Sequence, residues 1–244
     1  MGVAFVTLDN PPANSYDLPV MQRFAADVDE AIASDARVVI VRSANERFFS
    51  AGADVKKFLD GDVDANMEMI RTSQAAFRRM AQAEQVFIAH VAGHALCGGL
   101  EIAMACDLRY ATEGRYKLGL PEVTLGLLPG NGGTQRLTRL IGPSRAMELL
   151  ITGRTFGPEE ALQWGLVSGL CDMAAVREQA ERLAAGPAQA IAAIKRCVHE
   201  GGQLPLGDGL ALEAELMESL FHSRDASEGL NAFVEKRAPE FVGA

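Results

Sequence analysis

Short β-branched runs alternate with helical periods along the first 170 residues of this chain, and from about residue 173 onward only helical periods remain. The runs Arg37–Val41 and Val86–Val91 are almost unbroken apolar stretches. Strands of that kind are buried on both faces, which is the condition of a parallel sheet covered by helices. Val3–Leu8 reads as a further strand closed by the turn Asn10-Pro-Pro, and Asp17 caps a helix reaching about Ala33. The apolar positions of that helix, Leu18, Met21, Phe24, Ala25, Val28 and Ile32, recur at three- and four-residue steps. Residues 59–84 predict an acidic mobile loop followed by a helix carrying Met69, Ile70, Phe77 and Met80. Asp107–Ala111, Tyr116–Leu118 and Val167–Leu170 predict strands, and Leu100–Cys106 a short apolar helix. Phe48–Asp54, Gly93–Gly99 and Pro129–Gly133 read as loops of small residues. Helices are expected at Ser144–Thr152, from Pro158 to near Gly165, and over 187–199, 208–222 and 226–237. Asp225 with Glu228 offers a capping-box-like start for the last of these, and Pro239 a stop. No linker divides the chain. The pattern therefore predicts one structural unit, an α/β core over 1–186 with a C-terminal helical region over 187–244.

Composition narrows the function classes. With 48% hydrophobic and 23% charged residues, the 244-residue chain is a globular mixture with ample core. The net charge of −9 disfavours a nucleic-acid partner, so an anionic ligand needs local Lys or Arg. Cys97, Cys106, Cys171 and Cys197 form no CxxC pair and no metal-ligand or disulfide spacing. Reduced thiols, with no basic leader and no apolar run approaching ~18 residues, predict a cytoplasmic protein without metal or membrane segment.

Three stretches carry chemistry. Ser50-Ala-Gly-Ala-Asp54, Ala95-Leu-Cys-Gly-Gly-Leu-Glu101 and Gly119-Leu-Pro-Glu122, running on to Pro129-Gly-Asn-Gly-Gly-Thr134, let a ligand approach the backbone closely. Gly98 and Gly99 fall where a helix begins, so free N–H groups there suit a developing oxyanion. Glu101 lies in an otherwise apolar helix, where a lone carboxylate is costly unless paired or functional. Glu122 follows Pro121 in a second apolar setting. If both share a dry pocket, their repulsion raises at least one pKa and suits acid–base work near neutrality.

On Phe49-Ser-Ala-Gly-Ala-Asp54, Ala95 to Asp107, Gly119-Leu-Pro-Glu122, Leu127-Leu-Pro-Gly-Asn-Gly-Gly-Thr-Gln-Arg-Leu137, Ala146-Met-Glu-Leu, Trp164-Gly-Leu-Val167 and Phe233-Val-Glu-Lys-Arg237, the chain resembles the enoyl-CoA hydratase/isomerase family, the crotonase superfamily. The resemblance implies a spiral of repeated β-β-α units with a C-terminal all-helical oligomerisation region. It implies an acyl-CoA thioester substrate whose carbonyl is polarised by the N–H groups of Ala53 and Gly98. Glu101 and Glu122 match the two glutamates that add water to trans-2-enoyl-CoA, with Glu122 at the α-carbon and Glu101 on the water. Gly130 matches the glycine whose N–H lies near that water. Arg47, Ala51 and Lys56 match positions around the CoA, and Phe233 and Lys236 positions that reach the CoA of a neighbouring subunit in a homotrimer or homohexamer. No metal or redox cofactor is expected.

The match has departures. Gln85-Val86 stands where relatives usually carry Lys-Pro, and His90, His94 and Cys97 replace residues that are commonly small, aromatic and glycine. Isomerase, lyase or hydrolase chemistry on the same fold, and a non-catalytic acyl-CoA-binding scaffold, are the alternatives, because this fold hosts many reactions. Keeping both glutamates favours the hydratase.

Overall fold

In its first half the chain repeatedly leaves a long strand of one large sheet for a short strand of a smaller sheet and then turns into a helix. In the computed structural model, which describes residues 2–243, the order begins β1 (Gly2–Leu8), β2 (Ser15–Tyr16), α1 (Leu18–Ala33), β3 (Ala36–Ser43), β4 (Phe48–Ser50), β5 (Gly52–Ala53), α2 (Val55–Asp60) and α3 (Val63–Gln82). It continues through β6 (Val86–Val91), β7 (His94–Leu96), α4 (Gly98–Ala105), β8 (Leu108–Ala111), β9 (Leu118–Gly119), a 3-10 turn at Pro121–Leu125, α5 (Gly133–Ile141), α6 (Pro143–Thr152) and α7 (Pro158–Gln163). After β10 (Gly169–Leu170) only helices follow: α8 (Met173–Ala184), α9 (Ala188–His199), α10 (Leu206–Phe221) and α11 (Arg224–Glu235), with a 3-10 turn at Gly201–Gln203.

Strands β1, β3, β6, β8 and β10 make a five-stranded sheet in that order, β4, β7 and β9 a three-stranded one, and β2 pairs with β5. Every one of these pairings is parallel. The result is the α/β spiral of β-β-α units expected from the resemblance. Side chains alternate across the large sheet. Val39, Val41, Phe87 and Ala89 pack with Met21, Phe24, Val28, Phe77 and Met80 of α1 and α3. Val38, Ile40, Val86 and Ile88 pack with Val176, Ala180 and Ala184 of α8. Both faces are thus covered, as the unbroken apolar runs require.

Several expectations need correction. The acidic segment after residue 59 is not a mobile loop: Asp60 ends α2, and the Asp62 side chain caps α3 by accepting from Ala65 N at 2.8 Å. Aspartates at such points satisfy otherwise orphaned N–H groups, a role that looks like loop chemistry in sequence. The small-residue stretches at 48–54 and 93–99 hold the strands β4, β5 and β7, too short to show a period. The cap of α11 is Ser223, whose hydroxyl accepts from Ala226 N at 3.0 Å. Asp225 accepts from the amides of Val242 and Gly243, and Glu228 pairs with Arg237, so neither builds a capping box. The helix ends at Lys236 in a left-handed turn, before Pro239.

The departure at Gln85-Val86 has a structural counterpart. Lys195 of α9 is buried and donates to the carbonyls of Met80 and Gln85, each at 2.6 Å, while pairing with Asp107 at 2.9 Å. One lysine from the helical tail therefore ties α9 to the end of α3, the start of β6 and the loop after α4.

Candidate active site

Glu101 occupies the first turn of α4, a helix whose residues are all buried. The 3-10 turn brings in Glu122, also buried. The loop 129–133 closes over Glu101: the amides of Asn131 and Gly133 donate to its Oε1 at 2.8 and 2.7 Å. Two further residues hold that loop. Arg136 donates to the Asn131 carbonyl at 2.8 Å, and Gln74 of α3 to the Gly130 carbonyl at 2.7 Å. Gly130 is thereby placed between α3 and the glutamate, with Ile70 as its nearest side-chain neighbour.

The electrostatics of the two carboxylates differ. Burial pushes both pKa values up. For Glu101 the amides of Gly133 and Asn131 and the Arg136 charge pull the other way. Glu122 lacks such donors, since both its carboxylate oxygens are buried without a hydrogen-bond partner. Burial raises its pKa to about 7, with its own backbone amide, outside hydrogen-bonding geometry, pulling down and the Glu101 charge pushing up. Both carboxyls are therefore held above the usual carboxylate range, and the first proton is shared by the coupled pair.

The N-terminus of α4 lies beside β5. A side chain on Gly52 would put its Cβ 2.7 Å from Cys97 Cβ and 3.1 Å from Gly98 N, and its φ of +89° already requires glycine. Asp54 N donates to Tyr16 O at 2.8 Å, so in this parallel pairing the preceding N–H, of Ala53, points away from β2. Gly98 N is the first amide of α4, whose N-terminus has no side-chain cap. The segments carrying the Ala53 and Gly98 amides are thus in contact, and neither amide has a ladder or helix partner.

Sequence reasoning missed two residues here. Tyr16 of β2 is buried, its hydroxyl is packed so closely on Gly98 that no side chain fits there, and it accepts from Asn131 Nδ2 at 3.1 Å. Burial, then the charges of Glu101, Cys97 and Glu122, drive its pKa well above 10, so it remains a hydroxyl. Asn131 lies within a glycine loop, where it is the one polar side chain of Pro129–Gly133.

The remaining sequence-derived positions separate. Ala51 is half-buried and bonds the 8–16 segment through its amide to Ala13 O, while Arg47 and Lys56 are exposed and, among the described residues, unpaired with any carboxylate. Phe233 and Lys236 are exposed on α11, which packs on α10 and makes no substantial contact with α4. His94 is not partnered with Cys97: its Nδ1 accepts from Lys117 N at 3.1 Å and its ring lies on Phe48. Among the described residues no group of three or more His, Cys, Asp or Glu is placed to hold a metal, and no helix is long and apolar enough to cross a membrane.

The family profile described as enoyl-CoA hydratase/isomerase matches residues 1–244. The chain belongs to that family. It is an enzyme of it, similar along nearly its whole length to relatives of known name. A probable enoyl-CoA hydratase of Bacillus subtilis (strain 168) is 40% identical over 248 residues, covering 99% of this chain and 95% of that one. The 2,3-dehydroadipyl-CoA hydratase of Escherichia coli (strain K12) is 35% identical over 246 residues, covering 99% and 95%. Among solved structures, the enoyl-CoA hydratase of Bacillus anthracis superposes with a TM-score of 0.92 at 36% identity, over 99% of this chain and 96% of that one. The crystal structure from Geobacillus kaustophilus HTA426, described as enoyl-CoA hydrates, does so with 0.95 at 43%, over 100% and 94%.

Proposed function

We propose that this enzyme adds water across the double bond of a trans-2-enoyl-CoA thioester to give 3-hydroxyacyl-CoA. The observation that carries the reading is the unequal pair of buried glutamates: one accepts two amide hydrogen bonds, and the other has no such donor and a pKa raised to about 7. Hydration needs one base and one acid on the same C=C. Glu101 takes a proton from water as its oxygen bonds to C3, and Glu122 delivers a proton to C2. Between these events the thioester oxygen carries enolate charge, and the unpartnered amides of Ala53 and Gly98 are the groups to receive it. A donor that meets charge appearing only in the transition state is worth about 2.7–4 kcal/mol. Gly130 N–H belongs to the loop that covers the water side of Glu101. The reaction is redox-neutral and requires no metal or redox cofactor.

The CoA part needs cations in an acidic protein. Arg47, before β4, and Lys56, at the start of α2, are exposed and, among the described residues, without a carboxylate partner, one on either side of the Ala51–Ala53 segment in sequence. Phe233 and Lys236 are assigned to the CoA of a neighbouring subunit in a homotrimer or homohexamer. Exposed Leu206, Leu210, Phe221, Leu230 and Phe233 on α10 and α11 support an interface there. Acyl-CoA is the small-molecule partner, with no nucleic-acid or membrane partner, and the compartment is cytoplasmic.

The test is turnover of crotonyl-CoA and longer 2-enoyl-CoA esters beside a 3-enoyl-CoA. Loss of the conjugated thioester absorbance is expected. Conversion of the 3-enoyl ester alone would make the enzyme an isomerase, and acyl-CoA binding without turnover would make it a scaffold. Light scattering that finds a stable monomer at micromolar concentration would remove the oligomer.

A further inference from the structure

Among the described residues, the buried side-chain polar atoms without a hydrogen-bond partner are both oxygens of the Glu122 carboxylate and the amide oxygen of Asn131. The Asn131 oxygen is an acceptor, one Glu122 oxygen carries a proton below about pH 7, and all border Glu101: Asn131 N bonds its Oε1 at 2.8 Å, and Glu122 feels its charge. Buried acceptors are costly to leave unfilled, so a site that collects them is built for a donor brought from outside. The Glu122 oxygens belong to the acid–base pair. The Asn131 oxygen has no part in it so far.

The orientation of the Asn131 amide is set by its surroundings. Nδ2 donates to the Tyr16 hydroxyl at 3.1 Å and also faces the Glu101 carboxylate. Turning the amide over would set Oδ1 against that carboxylate, acceptor against acceptor. Tyr16 cannot move toward Gly98, where its hydroxyl already fills the place of a side chain. Oδ1 is therefore held without a donor, in a residue only 4% exposed.

We propose that Asn131 Oδ1 is a further group on the reacting water, accepting a hydrogen bond from the proton that stays on its oxygen, and that Tyr16 is the positioning residue that fixes the amide for this. The inference rests on the hydratase reading. Water brings two protons to the site. One leaves to Glu101 as the lone pair forms the bond to C3. The other remains as the 3-hydroxyl proton and points at Asn131 Oδ1 throughout. Glu122 supplies the proton that C2 receives, so the atoms balance. The role of Asn131 is to fix the water at both of its protons, so that its lone pair faces C3.

The experiment separates the water step from enolate formation. Asn131→Ala and Tyr16→Phe are made in the full chain. Hydration of crotonyl-CoA is followed beside exchange of the α-protons of butyryl-CoA in D2O by NMR, which needs the amide pair and Glu122 but no water at C3. Asn131→Ala is expected to lower the hydration kcat about tenfold to a hundredfold, with KM and α-proton exchange within about threefold of wild type. Tyr16→Phe keeps the ring and should give the same split at about three- to tenfold. It carries the test if the alanine variant melts early. Unchanged hydration in both variants overturns the proposal. So does a parallel fall of hydration and exchange, because the side chain would then only prop the loop. A wild-type enzyme that exchanges α-protons yet hydrates nothing overturns the hydratase reading instead.

Discussion

Helix α4 has a carboxylate near each end, Glu101 buried and Asp107 half-buried, and the two are treated in opposite ways. Asp107, just past its C-terminus, has every oxygen filled. Oδ2 takes Phe87 N at 2.7 Å and Lys195 at 2.9 Å, and Oδ1 takes His199 Nε2 at 2.8 Å. Glu101, in the first turn, has two amides on one oxygen, and beside it stand the bare oxygens of Glu122 and Asn131. A fully satisfied cluster rigidifies a fold, whereas an unsatisfied one is tolerated only where something else completes it. The Asp107 cluster fastens the helical tail to the sheet. The Glu101 cluster is the one that the proposed reaction would complete.

The largest effects should come from breaking the unsatisfied cluster. Glu101→Gln and Glu122→Gln should each lower kcat for hydration by about 10²–10⁴-fold, with acyl-CoA binding retained. Near-normal turnover in either variant would take that residue out of the proton inventory. Breaking the satisfied cluster should do the reverse. Lys195→Met leaves the half-buried Asp107 with only Phe87 N and His199, and should cost about 1–3 kcal/mol in urea unfolding with kcat of the folded enzyme within a few-fold. Pairing it with Asp107→Asn should recover part of the loss, since the stranded charge goes too. Equal, additive losses would mean that the ion pair is not what holds α9 down.

The third contrast is in pH. The folded-state pKa of Glu122, about 7, lies above that of an exposed carboxylate, so the folded protein binds this proton more tightly than the unfolded chain. Stability then falls as pH rises from about 4.3 through about 7, because a buried group must ionise. Glu122→Gln removes that cost. It should be more stable than wild type at pH 8 by about 1–3 kcal/mol and no more stable at pH 4. In the wild type, kcat/KM should decline above about pH 7 as the acid form of Glu122 is lost. A profile flat to pH 9 would contradict the assignment of Glu122 as the acid.

How much of this was legible follows from the kind of signal each residue sends. Glu101 stands out because it is charged inside an apolar helix, and Glu122 because a strict motif surrounds it. The buried strands β3 and β6 show as unbroken apolar runs, and Asp17 as a helix cap. Tyr16 sends no such signal. It sits in a two-residue strand after a proline turn, and only the pairing of β2 with β5 brings its hydroxyl to Gly98. Asn14 is hidden in the same way. It adopts a φ of +50° and ties the segment before β2 to Leu8, Ser43 and Phe49. Lys195 looks like ordinary surface charge on an amphipathic helix until the sheet edge it meets is known. The acidic run near residue 60 misled because caps and loops draw on the same residues.

Cys97 provides the smallest and most discriminating test of the contrast. It precedes Gly98 at a φ of 51° and ψ of −130°, a region suited to glycine, so its side chain is held under backbone strain of about 1–3 kcal/mol. Burial, then the charges of Glu122 and Glu101, push its thiol pKa to about 12, which keeps it protonated and a poor nucleophile. A strained residue beside the reacting groups suggests a function, but a protonated thiol with no base partner supplies none in the proposed chemistry. Cys97→Gly should therefore gain about 1 kcal/mol, the relieved strain less the entropy that glycine loses on folding. Its turnover should stay within a few-fold of wild type. Cys97→Ala keeps the backbone problem and removes only sulfur, so it should match wild type in both respects. If the glycine variant is stabilised but loses more than tenfold in kcat while the alanine variant does not, the strain itself sets the Gly98 amide. If both lose activity alike, the sulfur shapes the pocket, and Cys97 belongs with Glu101 and Glu122 rather than with the scaffold.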